Sequence, residues 1–73
     1  MTDLSHYTRD QRREAIDQVI VSKRDRLILS LRLLDGCCYQ EIADEVHLSV
    51  RQVGNIISKG SARIGDYLIK HFL

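Results

Sequence analysis

Three side chains in one short amphipathic run could read nucleic-acid bases: Arg51 and Asn55, with Gln52 assisting. A guanidinium can grip guanine O6 and N7 with two parallel hydrogen bonds, and an asparagine amide can do the same with adenine N6 and N7. Arg51 and Asn55 stand one helical turn apart and share a face. Groups suited to phosphate surround them. Ser49, Ser58, Lys59 and Arg63 lie along the same stretch, and Tyr39 and Gln40 open the segment before it. Residues 49–63 contain no acid, whereas 39–46 carry Glu41, Asp44 and Glu45. The chemistry that fits is recognition, with base edges read in a groove and backbone contacts on either side.

Such residues need rigid support, and the pattern of 39–59, YQEIADEVHLSVRQVGNIISK, supplies it. Ile42, Ala43 and Val46 recur at one-face helical spacing, and so do Val50, Val53, Ile56 and Ile57. His47, Leu48 and Ser49 separate the two runs. Ser49 with Gln52 three residues on has the form of a capping box, so a helix is expected to start at Val50. A helix, a tight turn and a capped second helix make a helix-turn-helix, whose second helix enters the DNA major groove. Leu48 should plug the core between the helices. His47 reads as a turn residue rather than a ligand or a base.

The remaining chain supplies further helices. Residues 1–7 show no period and are expected to form a flexible tail, which leaves 8–73 as one domain with the helix-turn-helix at 39–64. Thr8 and Gln11 suggest a cap for a helix bearing Ala15, Ile16, Val19 and Ile20 on one stripe. Arg9, Arg12 and Arg13 are interleaved with acids and read as ordinary surface. Ser22 caps a second helix, whose Leu27, Ile28, Leu31 and Leu34 mark one face, widened by Leu29 and Leu33. That helix should be the most buried, with Gly36 as its left-handed stop. Cys38 takes the cap position of the next helix, where a thiol serves poorly. At the other end Ile64, Leu68 and Phe72 continue one stripe, which either packs back on the first helix or forms a dimer contact. Gly54, Gly60 and Gly65 each disfavour a helix interior by about 1 kcal/mol relative to alanine, so they imply close backbone packing or a break.

Composition narrows the function. Seventy-three residues with 44% apolar content and no proline suit one small all-α domain of four to five helices, without winged elements. The net charge of +1 is weak for a nucleic-acid binder, so local charge must do the steering. No apolar run could span a membrane and the start has no signal-peptide core, which points to a cytoplasmic protein. Cys37 and Cys38 are neighbours and read as reduced thiols, not as a metal site. Nothing suggests catalytic residues, a metal, a cofactor or a small-molecule substrate, so an enzyme is not expected.

At 31–68 the chain resembles region four of bacterial sigma factors. The resemblance rests on Leu34, Gly36, the Tyr39–Glu41–Ile42–Ala43 helix start, Glu45, the Leu48–Ser49 turn, and Val50, Val53, Lys59 and Arg63 behind it. It implies a domain that reads the promoter −35 element, with Val50, Arg51, Gly54 and Asn55 where base and backbone contacts fall. Gly54 replaces a frequent basic residue, Gly60 the usual alanine, and Cys38 the usual serine cap. A complete sigma factor also needs domains for which this chain has no room. The layout is similar to small stand-alone sigma-like proteins of phages and mobile elements.

The expected function is therefore sequence-specific binding of double-stranded DNA in transcription regulation. Two alternatives stand beside it. One is a protein-interaction module that docks on RNA polymerase or a sigma partner, with a homodimer formed through the apolar end. The other is the DNA-recognition subunit of a phage packaging machine.

Overall fold

The structure, a computed structural model, describes residues 4–72. Four helices follow one another: α1 (Arg9–Val19), α2 (Lys23–Leu33), α3 (Tyr39–Val46) and α4 (Val50–His71). Among the described residues there is no strand. The fold is all-α, at the lower of the two expected helix counts.

Local chemistry explains where the helices begin and end. Thr8 Oγ1 accepts the Gln11 N–H at 3.1 Å, and Gln11 Oε1 accepts the Thr8 N–H at 3.0 Å. Ser22 Oγ accepts the Asp25 N–H at 3.3 Å. Gly36 turns the chain out of α2 at φ +70°, a region closed to most side chains. Two arginines then tie helices together. Arg9 donates to the Leu34 carbonyl and pairs with Asp35 at 3.0 Å, holding the end of α2 to the start of α1. Arg26 donates to the carbonyls of Ile20 and Asp17, at the end of α1. Arg9 is thus a tie between helices and not idle surface.

The core is Leu4, Ala15, Ile16, Ile20, Ile28, Leu29, Ile42, Ala43, Val53, Ile57, Ile64 and Leu68. Three expectations change here. Leu4 is only 7% exposed and Tyr7 packs on the core, so the described part of the 1–7 tail is docked; Met1, Thr2 and Asp3 lie outside the described residues. Leu27 is 46% exposed, and α2 buries Leu29 in its place beside the expected Ile28. The most buried helix is α4, with Val53, Ile57, Gly60, Ile64, Gly65 and Leu68 all inside.

That central position follows from the length of α4. Its 22 residues rise about 33 Å, which matches the 35 Å long axis of the molecule. The other three helices pack around it. The glycines are accommodated without a break. A Cβ built on Gly60 would lie 2.4 Å from Leu29 Cδ1 and 2.9 Å from Cδ2, so α2 and α4 meet backbone to side chain. Leu29 is fully buried, so its Cδ atoms can yield only by changing rotamer within a packed core. Gly60→Ala should therefore lower stability by about 1 kcal/mol, the overpacking penalty exceeding the gain in helix propensity. A chemical-denaturation midpoint above that of the wild type would show that Leu29 yields at no cost.

Candidate nucleic-acid interface

The turn between α3 and α4 sets the angle at which α4 is presented. His47 closes α3 in the left-handed region at φ 59° and ψ 41°. The Leu48 N–H then reaches back to the Ala43 carbonyl at 3.1 Å. Leu48 is half-buried against the core, the plug that the pattern implied. His47 serves the turn through its backbone, with its side chain exposed. Ser49 starts α4 with a complete capping box. Its Oγ accepts the Gln52 N–H at 3.1 Å, and Gln52 Oε1 accepts the Ser49 N–H at 3.0 Å.

One face of α4 is open along the expected residues. Arg51, Gln52, Asn55, Ser58, Lys59 and Arg63 are all exposed. Arg51, Asn55 and Ser58 stack on successive turns, and Lys59 and Arg63 follow along one edge. From Arg51 to Arg63 the face runs about 18 Å, enough to lie along a DNA groove. Among the described residues no ion pair holds Arg51, Lys59 or Arg63. The first acid on α4 is Asp66, paired with Lys70 at 3.0 Å beyond this face. Gln52 differs from its neighbours because its acceptor oxygen already serves the cap.

Tyr39 and Gln40 stand where α3 approaches α4. The Tyr39 ring lies between the Arg32 guanidinium, 4.9 Å from its centroid, and Gly54, where an added Cβ would meet the ring at 3.6 Å. A Cβ there would make only an ordinary contact with the ring, so Tyr39 does not require glycine at residue 54. Gln40 Nε2 donates to Asp44 at 2.9 Å, along α3.

The start of α3 compensates for its cysteine. The Cys38 thiol makes no cap hydrogen bond, but the Glu41 carboxylate accepts the Cys38 N–H at 2.9 Å. That backbone hydrogen bond, helped by the Cys38 thiol, holds the Glu41 carboxyl below its usual pKa. Beside it, burial and then the carboxylates of Glu41 and Asp35 push the Cys37 thiol up. A carboxyl whose folded pKa is lowered stabilises the fold above its unfolded pKa, and the contribution is lost as pH falls through the folded value. Wild type should therefore resist denaturant better than Glu41→Gln above about pH 5, with the gap closing under more acid conditions. A gap independent of pH would assign the effect to shape alone.

The remaining expected site residues lie elsewhere. Ile64 and Leu68 are fully buried and Phe72 is partly buried against the core, so this stripe packs within the chain. Tyr67 joins the same end to α1 by donating to Glu14 at 3.2 Å, and it stacks on His71. Burial, and then Glu14, push the Tyr67 phenol up. One feature gave no sequence signal because it joins distant segments. A groove of about 520 Å³ runs between the start of α2 and α4, lined by Ile20, Val21, Leu29, Ile56, Lys59 and Arg63 among others. Among the described residues no group of three or more histidine, cysteine or acidic side chains could hold a metal. No described helix is long and apolar enough to cross a membrane.

Comparison with curated proteins and with solved structures finds no match. Residues 21–64, more than half of the chain, match the family described as sigma-70, region 4. The matched segment begins beside the cap of α2 and takes in all of α3 and the whole open face of α4. The chain belongs to the sigma-70 region 4 family, whose helix-turn-helix domains bind DNA, typically in transcription regulation.

Proposed function

We propose that this protein is a sequence-specific regulator of transcription that lays the start of α4 in the DNA major groove. One observation carries the reading. Arg51 and Asn55 are exposed one turn apart behind a capped helix start, on a face with no acid and no ion pair among the described residues. In this arrangement Arg51 and Asn55 read bases. Ser49, Ser58, Lys59 and Arg63 contact phosphates, and Tyr39 and Gln40 touch the backbone beside the groove. The −35 element of a promoter is the type of target that fits.

Selection of bound duplexes from a randomised DNA pool tests this directly. The wild type should enrich one motif, and the Arg51→Ala, Asn55→Ala double variant should lose it. Equal, unselective retention of all duplexes at moderate salt would sink the reading. The symmetry of the motif would also report whether one copy or two bind.

The groove favours a second reading, docking on RNA polymerase, which domains of this family bind in general. Val21 is 84% exposed at its rim, beside the apolar Ile20, Leu29 and Ile56. If the groove holds polymerase, Val21→Glu should weaken capture of the enzyme and leave the selected DNA motif unchanged. Undiminished capture by that variant would remove the groove from consideration.

A further inference from the structure

The capping box changes which side chains are free at the tip of α4. Ser49 Oγ and Gln52 Oε1 are both engaged with backbone N–H groups of the first turn. Gln52 is therefore folded back along its own helix, so a two-bond grip on adenine would compete with the cap. Two other side chains project from that turn. One is Arg51. The other is Val50, the first residue of α4, which is 40% exposed.

Exposed apolar side chains are common and usually need no explanation. Val21, Leu27 and Ile69 are the other large ones, and they lie on the α1–α2 connection, on α2 and near the far end of α4. Val50 alone stands at the end of the helix proposed to enter the groove, directly before Arg51. Residues at the start of a recognition helix meet base edges. On the major-groove edges of the four base pairs the one apolar group is the C5-methyl of thymine. A cytosine at the same place carries only a hydrogen at C5, so the apolar contact would be lost.

We infer that Val50 is a specificity-determining residue that selects thymine by methyl contact, at the base pair beside the one read by Arg51, while Gln52 serves the cap. This rests on the DNA-reading function proposed above and adds a chemically defined subsite to it.

The experiment exchanges one methyl group on the DNA. Each thymine of the selected motif is replaced in turn by uracil, and affinities of the wild type and Val50→Ala are measured by fluorescence anisotropy. Uracil keeps every hydrogen-bonding group of thymine, so only the methyl contact changes. Wild type should lose about three- to fivefold in affinity at one position, the size expected for withdrawing one methyl group from apolar contact. Val50→Ala should lose a similar factor on the thymine duplex and be indifferent to uracil at that position. Indifference of the wild type at every position would overturn the inference, and so would uracil sensitivity that persists in Val50→Ala. A motif without thymine would overturn it as well. If the wild type selects no motif at all, the DNA-reading function itself has failed, an outcome distinct from the loss of this one contact.

Discussion

Arg51→Ala should weaken binding to the selected DNA by about 1–3 kcal/mol and blur the preference at a single base pair. The side chain is exposed and, among the described residues, unpaired, so its removal takes away no contact of the folded chain. The α4 cap beside it is made by Ser49 and Gln52 and is untouched. The denaturation midpoint should therefore stay within about 0.5 kcal/mol of the wild type, the usual range for a surface change. The informative contrast is with Lys59→Ala. A phosphate contact is blind to sequence, so that variant should weaken all duplexes alike and lower the salt slope by about one. If Arg51→Ala behaved in the same way, Arg51 would be a phosphate contact and the reading head would have to be sought at Asn55.

The near-zero net charge becomes intelligible in this light. The charges are segregated rather than few: Glu41, Asp44 and Glu45 lie on α3, and Arg51, Lys59 and Arg63 lie on the open face of α4. Several other basic groups are committed internally. Arg9 and Arg26 hold helix ends, Arg32 lies over Tyr39, and Lys70 pairs with Asp66. With ten acids against eleven lysines and arginines, little net positive charge remains to attract DNA at long range. In physical terms, non-specific attraction should be modest, and affinity should depend on the base contacts proposed for the tip of α4.

Much of this was legible because it is local. Thr8, Ser22 and Ser49 cap helices through residues three positions away, and Gly36 turns the chain by its own φ. The exposure of Arg51, Asn55, Ser58, Lys59 and Arg63 along one side of α4 was legible for the same reason, since helical spacing alone places them there. What escaped depends on contacts distant in sequence. The apolar run of α2 is too dense to define one stripe, so only packing against α4 decides that Leu29 turns inward and Leu27 outward. Gly60 could have marked a break or a close approach, and Leu29 decides it. Arg9 reaches an acceptor 25 residues away, and no local rule anticipates that. Gln52 is the instructive case. Its spacing from Ser49 and its place on the polar face supported two roles at once, and the cap engages its oxygen, so a two-bond grip on adenine would compete with the cap.

The stripe at the end of α4 leads to the second large effect. Leu68→Ala should cost about 2–5 kcal/mol of folding stability, the range for emptying a fully buried leucine site. A chain of 73 residues has only about 4–11 kcal/mol in total, so the variant should be marginal at 25 °C and Leu68→Glu should not fold. As a dimer face, the same stripe would behave differently, because a charge there would separate two intact domains. Ile69 supplies the control, since it is the next residue on α4 and 45% exposed. Ile69→Glu should retain the wild-type helical signal and melting temperature to within a few degrees. Circular dichroism melts of the three variants, run at two protein concentrations, separate the accounts. A Leu68→Glu protein that stayed helical, with a midpoint dependent on wild-type concentration, would return this face to assembly. Loss of the helical signal at every concentration, beside an unaffected Ile69→Glu, would place Leu68 in the core that holds α4 and its reading head in position.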